Sequence, residues 1–148
     1  MTKILVVEDE TIISLDIEQR LKSLGYEDSQ AVPSGREALD LIPEILPDLI
    51  LMDIVLGEGM DGVETAGIIN ERFNIPVVFL TAHSDESTLE RVKMTNPFGY
   101  ILKPFKAREL YSTIEIALYR HRLEEMLRES EERFRTGFEH AAIGKGMT

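Results

Sequence analysis

The chain has 148 residues, of which 43% are apolar, and its 27 Asp and Glu outnumber its 16 Lys and Arg for a formal net charge of −11. This length suits one compact domain with a hydrophobic core, the apolar fraction excludes a disordered chain, and the lack of Cys excludes disulfides, thiol nucleophiles and Cys-ligated metals. The acidic balance argues against nucleic-acid or membrane partners, no apolar run approaches the roughly 18 residues of a membrane span, and the first residues read as a strand rather than a signal peptide, so we expect a cytoplasmic domain.

Five strand-like segments follow one another along the chain. Four are continuous apolar runs, at residues 4–7, 49–52, 77–80 and 100–102, and a weaker one covers 26–32. Continuous rather than alternating apolar runs are typical of strands that helices cover on both faces of a parallel sheet.

A helix is predicted after each strand. Ser34 followed by Glu37 is a capping-box sequence for the second helix, and Asp61 with Glu64 repeats it at the third. Pro43 is expected to kink or shorten the second helix. Strand–helix units repeated five times predict a doubly wound α/β sandwich, in which ligands bind at the carboxyl ends of the strands.

Polar side chains stand where the four strong strands end: Glu8 and Asp9, then Asp53, Thr81 and Lys103. Any one of them is explained by a strand end meeting water, but the set fits one chemistry. Crowded carboxylates repel each other unless a cation lies among them, and a site with only oxygen ligands favours Mg²⁺. A metal, a carboxylate nucleophile, an ammonium and a hydroxyl are what phosphoryl transfer to an aspartate requires.

Residues 1–120 resemble the receiver domain of two-component response regulators. The resemblance rests on the following motifs, in this order: Glu8-Asp9, Asp53 within Leu-Met-Asp-Ile, Met60-Asp61-Gly62, Thr81-Ala82, and Tyr100 ahead of Lys103-Pro104-Phe105. The ordered combination is far more specific than any single motif. It implies a flavodoxin-like, five-stranded parallel sheet of order 2-1-3-4-5 with helices on both faces.

The resemblance also implies a phosphorylation site with a metal ion. Asp53 would be the phospho-acceptor, and a histidine kinase or phosphotransfer protein would be the donor. Mg²⁺ would be bound by the side chains of Asp9 and Asp53 and by the carbonyl oxygen of Val55, with Glu8 acting through water. The domain would catalyse only its own phosphorylation and autodephosphorylation, so it would not be an enzyme in the usual sense.

A second group of implied roles concerns the switch. Lys103 would pair with the phosphoryl oxygens, Thr81 would hydrogen-bond to them, and Tyr100 would turn inward as Thr81 moves. The Lys103–Pro104 peptide bond would be cis, an isomer largely restricted to bonds before proline. The added charge of about −2 would bias the fourth helix, fifth strand and fifth helix toward a partner-binding arrangement.

The sequence departs from the receiver pattern in the loop after Asp53. This loop is one residue longer than is common, with Gly57 where proline is usual, and we expect a looser backbone beyond Val55. His83, two residues after Thr81, is expected to be a surface side chain without a catalytic part.

The C-terminal segment continues the fifth helix beyond the receiver. Ile116, Tyr119, Leu123 and Met126 recur at alternating spacings of three and four, which favours a coiled-coil-like linker at 121–133 that pairs two chains. A single solvated helix is the alternative. Residues 134–148 resemble the truncated start of a PAS domain and are expected to be poorly ordered, because so short a segment buries no core.

Other classes of protein fit less well. A flavin module needs a phosphate-cradling loop where Glu8 and Asp9 stand, and a dinucleotide enzyme needs Gly-x-Gly-x-x-Gly after a strand, which the sequence lacks. A phosphohydrolase needs a second acid where Val55 stands, and a transcription factor needs a basic module after residue 120. The remaining alternative is a receiver-fold binding module that acts without phosphorylation.

Overall fold

The computed structural model describes residues 1–57, 59–82, 86–95 and 97–144, with the side chains of 86–89 and 133–144 excepted. His83 and the predicted start of the fourth helix at Ser84 lie outside the described residues. The elements are, in chain order, β1 (Lys3–Val7), α1 (Thr11–Ser23), β2 (Asp28–Val32), α2 (Gly35–Ile45), β3 (Leu49–Asp53), α3 (Gly62–Arg72), β4 (Val77–Thr81), α4 (Glu86–Met94), β5 (Gly99–Leu102) and α5 (Ala107–Gly144).

The five strands form one parallel sheet in the order β2-β1-β3-β4-β5, which confirms the predicted fold class. Helices cover both faces of this sheet, so the apolar residues of the three inner strands β1, β3 and β4 are buried whichever way they point. Leu5 and Val7 of β1 belong to a core with α2, α3 and α4, whereas Ile4 and Val6 belong to a core with α1 and α5. The continuous apolar runs in the sequence follow directly from this double coverage.

The predicted caps of α2 and α3 are confirmed. The backbone N–H of Glu37 donates to Ser34 Oγ at 3.1 Å, and that of Glu64 donates to Asp61 Oδ1 at 2.8 Å. Each bond satisfies one of the N–H groups that the first turn of a helix leaves without a partner. Pro43 lies in the last turn of α2, which ends two residues later at Ile45.

The edge strand β2 is shorter than the sequence predicted. It begins at Asp28, whereas the weak apolar run begins at Tyr26. Tyr26 is buried in the core beside α5 instead, and its hydroxyl donates to Glu115 Oε2 at 2.5 Å. The side chain that suggested a strand therefore contributes to packing between helices.

The long helix α5 runs without interruption from Ala107 to Gly144, which confirms the extended C-terminal helix. Leu110, Ile114 and Ala117 bury its first turns against the sheet. The backbone of 134–144 continues the helix, and residues 145–148 lie outside the described residues, so the PAS start and its poor order stay predictions. None of the helices in the described part of the chain is both long and apolar enough to cross a membrane.

Candidate functional site

Three carboxylates meet at the carboxyl edge of the sheet. β1 ends at Val7, and Val7 is in register with Met52 of the neighbouring strand β3, so Glu8 and Asp9 follow beside Asp53. One carboxylate oxygen from each of Glu8, Asp9 and Asp53 lies within 4.8 Å of the other two. The structure thus brings together the acidic residues that the sequence placed at separate strand ends.

Lys103 at the end of β5 joins two of these carboxylates. Its Nζ lies 2.9 Å from Glu8 Oε1 and 3.4 Å from Asp53 Oδ2. The Glu8 side chain is fully buried and also accepts a hydrogen bond from the backbone N–H of Glu10 at 3.3 Å. The Lys103 ammonium therefore offsets part of the negative charge of the buried pair Glu8 and Asp53, whereas Asp9 of the same cluster is exposed.

The protonation of Asp53 reflects this crowding. Asp53 is only 7% exposed, and burial together with its hydrogen bond to Glu8 raises the pKa of Asp53 to about 7. Burial would also raise the pKa of Glu8, but hydrogen bonds with Asp53 and Lys103 lower it overall. For Lys103, the bond to Glu8 and the charges of both carboxylates raise its pKa in spite of burial.

The donor chemistry fits a hard divalent cation. The cluster offers carboxylate oxygens without sulfur or imidazole ligands, the set that Mg²⁺ prefers. A cation among these groups would favour the ionised form of Asp53, whose raised pKa shows that ionisation is costly without one. Val55, whose carbonyl the resemblance assigns to the metal, is 64% exposed on the loop beside the cluster, and its N–H donates to Asp53 Oδ1 at 3.3 Å.

Thr81 ends β4 between the strands that carry Asp53 and Lys103. Asp53 is in register with Leu80, and Thr81 is in register with Leu102. The N–H of Lys103 donates to the carbonyl of Thr81 at 2.7 Å, and Thr81 is almost fully buried. All the polar residues predicted for the strand ends therefore lie on one edge of the sheet.

The two remaining predicted residues flank Lys103: Tyr100 lies within β5, and Pro104 follows the end of that strand. Tyr100 is 53% exposed and lines a surface groove with Leu102 and the first turns of α5. The inward turn of this aromatic side chain stays a prediction. The Lys103–Pro104 peptide bond is cis.

Two glycines lie so close to the acidic residues that a larger side chain would meet them. A Cβ on Gly62 would lie 2.0 Å from the carbonyl oxygen of Asp53, and one on Gly57 would lie 3.2 Å from Asp9 Oδ2. The N–H of Gly62 donates to Ile54 O at 2.9 Å, so α3 starts in direct contact with the end of β3. The sequence marks Gly62 only as part of the Met60-Asp61-Gly62 motif, and its closeness to the Asp53 carbonyl oxygen becomes visible only in the fold.

An ion pair links the same loop to α4. Arg91 Nη2 lies 2.6 Å from Asp61 Oδ2, while the other oxygen of Asp61 caps α3. Asp61 therefore connects α4 to the helix that packs against the backbone of Asp53.

Comparison with known families identifies the class of protein. The response regulator receiver domain matches residues 4–115, and the chain belongs to this family. The transcriptional regulatory protein PdtaR of Mycobacterium tuberculosis is 34% identical over 120 residues, which are 81% of this chain and 58% of that protein. The chain thus spans somewhat more than half the length of this curated relative.

Solved structures are similar over most of the chain. The N-terminal domain of a response regulator/sensory box/GGDEF three-domain protein from Carboxydothermus hydrogenoformans is 40% identical, with a TM-score of 0.74 over 84% of this chain and 98% of that one. A fusion that contains the trimeric coiled coil of yeast Spc42 is 34% identical, with a TM-score of 0.81 over 95% of this chain and 96% of that one.

Proposed function

We propose that this receiver accepts a phosphoryl group on Asp53, in a Mg²⁺-dependent reaction, from a phosphohistidine on a histidine kinase or phosphotransfer protein. The phosphorylated form then switches conformation to control an attached or partner signalling domain. The observation that carries the proposal is the position of the Lys103 ammonium between Glu8 and Asp53 at the edge of the sheet.

The protein promotes this phosphoryl transfer by positioning the reacting groups and by offsetting the negative charge of the transferred group. A carboxylate oxygen of Asp53 attacks the phosphorus, the phosphorus–nitrogen bond to the donor imidazole breaks, and an acyl phosphate forms. Lys103, 3.4 Å from Asp53 Oδ2, exchanges its contact with Glu8 for the phosphoryl oxygens. The hydroxyl of Thr81 donates to another of these oxygens.

Glu8, Asp9 and Asp53 would hold Mg²⁺ together with the carbonyl oxygen of Val55, Glu8 acting through water. The bound ion supplies neutralisation of the charge that collects on the transferred group. With a cation bound by these residues, Asp53 would be held in its ionised, nucleophilic form at neutral pH.

Intact mass after incubation with acetyl phosphate tests the proposal. We expect a gain of one phosphoryl group that needs Mg²⁺, persists in the control Asp40→Asn, which changes an exposed aspartate of α2, and is lost in Asp53→Asn. No gain, together with no Mg²⁺ binding by a folded protein, would contradict the proposal and favour a receiver-fold module that signals by binding alone.

We further propose that two chains pair through α5 and the linker. Apolar side chains remain exposed on the side of α5 away from Leu110 and Ile114, namely Ile116, Tyr119, Leu123, Met126 and Leu127. Their spacing is that of a coiled-coil seam. The likeness to a fusion that contains a trimeric coiled coil supports association of helices over a single solvated helix, although it does not favour two chains over three.

The remaining proposals concern the surroundings of this chain. We propose that it acts in the cytoplasm and does not itself bind nucleic acid or membranes, in keeping with its net charge of −11. We also propose that residues 134–148 begin a PAS domain. In the C. hydrogenoformans protein, the similar domain belongs to a chain with a sensory box.

A further inference from the structure

We propose that Arg20 is a positioning residue for Lys103. It fixes the segment that follows β5, so that the Lys103 ammonium is held between Glu8 and Asp53. This inference rests on the proposed function, since it concerns the group that is to bind the phosphoryl oxygens.

Arg20 contacts the backbone and the ring of the same residue, Phe105. Its Nη1 donates to the carbonyl oxygen of Phe105 at 3.3 Å, and its guanidinium carbon lies 5.5 Å from the centroid of the Phe105 ring. On the other side, Arg20 Nε donates to Asp16 Oδ2 at 3.0 Å, one turn earlier in α1. A planar guanidinium makes all three contacts at once, which a lysine ammonium cannot do.

Arg20 contacts a short segment that is also anchored at both ends, and the carbonyl oxygen of Lys106 accepts from the Leu110 N–H at 3.1 Å. Residues 103–106 connect β5 to α5 outside any helix or strand, and Pro104 has no N–H to donate. One end is fixed by the bond from the Lys103 N–H to Thr81, at 2.7 Å. The other end is fixed by Phe105, half-buried against the core beside α1 and α5, and by Arg20.

Lys103 depends on both ends because its position must satisfy two acceptors. Its Nζ lies 2.9 Å from Glu8 Oε1 and 3.4 Å from Asp53 Oδ2. A small shift of Phe105, two residues along, changes the direction in which the long side chain leaves the backbone. Loss of Arg20 therefore weakens the contact of Lys103 with the transferred group and leaves the acidic residues in place.

The variants are Arg20→Ala and Arg20→Lys, with Arg72→Ala as the control. Arg72 is an exposed arginine at the end of α3, on the opposite face of the sheet. The Arg20 side chain is 37% exposed, so its removal should cost little stability and the variants should fold.

The rate of Mg²⁺-dependent phosphorylation by acetyl phosphate is measured in the wild-type and Lys103→Ala backgrounds. We expect Arg20→Ala to lower the rate roughly three- to fivefold, in line with loss of an exposed cation–π contact and a hydrogen bond. Arg20→Lys should recover little, and Mg²⁺ affinity should not change. In the Lys103→Ala background, Arg20→Ala should have no further effect, because coupled residues are not additive.

A second measurement does not depend on the phosphodonor. With ¹³C-labelled lysine, the NMR signal that disappears in Lys103→Ala is assigned to Lys103. This signal should shift in Arg20→Ala and stay in place in Arg72→Ala.

The outcomes separate the two proposals. If wild-type protein gains no phosphoryl group, the proposed function fails and the NMR signal alone judges the role of Arg20. Two results with phosphorylated wild type would overturn the inference. One is a phosphorylation rate of Arg20→Ala equal to that of wild type. The other is an equal loss of rate from Arg20→Ala in the wild-type and Lys103→Ala backgrounds, which would mean that Arg20 only stabilises the fold.

Discussion

The protonation of Asp53 depends on its burial and on the charges of its neighbours Glu8 and Lys103. Its carboxyl is buried beside Glu8 and Asp9, and one ammonium, that of Lys103, reaches both it and Glu8. The folded protein therefore binds a proton at Asp53 more tightly than the unfolded chain does. The stability of the fold should therefore depend on pH in part through Asp53, unless a cation occupies the cluster, while Glu8, whose pKa is lowered, acts in the opposite sense.

The first prediction concerns Asp53→Asn without divalent cations. The pKa of Asp53 rises from 3.8 to about 7 on folding, so its contribution to stability is full below pH 3.8 and is lost as pH rises through 7. Asparagine does not ionise, so the free energy of unfolding of the variant should be higher than that of wild type by on the order of 2 kcal/mol at pH 8. The difference should be smaller at pH 5. Urea unfolding in EDTA measures the difference.

Mg²⁺ and a second aspartate provide the controls for that prediction. Mg²⁺ should stabilise wild type and so reduce the difference in free energy of unfolding between Asp53→Asn and wild type at pH 8. The difference between Asp40→Asn and wild type should not depend on pH in this way. A variant that is less stable than wild type at pH 8 would contradict the account of Asp53.

The second prediction concerns Gly62→Ala. The new Cβ would lie 2.0 Å from the carbonyl oxygen of Asp53, so α3 or the end of β3 must move. We expect a loss of about 1–3 kcal/mol in the free energy of unfolding, together with slower phosphorylation of Asp53.

Gly67→Ala is the matched control for Gly62→Ala. It lies in the same helix with nothing within 4 Å of its added Cβ, and it should be neutral or stabilising by up to about 1 kcal/mol. Equal effects of the two substitutions on urea unfolding would show that the close approach to Asp53 does not matter.

At this scale the sequence predicts residues whose chemistry is unusual and misses those whose importance is geometric. Asp53 and Lys103 stand out because a charged residue directly follows an apolar run. Gly62 and Arg20 do not, since their roles depend on an atom of a distant segment. No local pattern encodes a Cβ position in α3 that would lie 2.0 Å from the end of β3, or a guanidinium over a ring 85 residues away.

Among the elements, α4 is tied to the site through Asp61. Arg91 of α4 lies 2.6 Å from a carboxylate that also caps α3, and α3 begins against the backbone of Asp53. A displacement of the loop after Asp53 would therefore act directly on α4.

The third prediction is that Arg91→Ala loosens α4. Because this ion pair is partly exposed, the free energy of unfolding should fall by no more than about 1 kcal/mol. Amide hydrogen exchange in 90–95 should become faster, whereas Lys93→Ala, an exposed change on the same helix, should leave exchange nearly unchanged. Equal protection in both variants would show that the pair does not restrain α4.

The strands that are buried on both faces are the ones whose bounds the sequence predicts most accurately. β1, β3 and β4 are covered on both faces, so their apolar runs marked them within a residue. β2 is a half-buried edge strand, and the apolar Tyr26 before it packs against α5, so its start was placed two residues early. Local pattern cannot tell a strand residue from a core residue just outside a strand.

For the molecule as a whole, the proposed association of two chains would use the outer face of α5. The seam residues Ile116, Tyr119 and Leu123 are exposed in one chain, and pairing would bury them.

The fourth prediction is that Leu123→Lys abolishes pairing. Sedimentation equilibrium of wild type should show a concentration-dependent dimer, and the variant should remain a monomer with an unchanged receiver fold, because Leu123 faces away from the sheet. Arg122→Ala, a neighbouring exposed change, should pair like wild type. A monomeric wild type at high concentration would favour the single solvated helix.

The unbroken course of α5 has a mechanical consequence. At about 1.5 Å per residue, the 34 residues between buried Leu110 and Gly144 form a rod about 50 Å long. A tilt of about 5° at the receiver end would move the far end of the helix by about 4 Å. Small changes of angle at the receiver would therefore produce larger displacements at the far end. Its length also sets an angle, because each inserted residue would turn everything beyond it by about 100°.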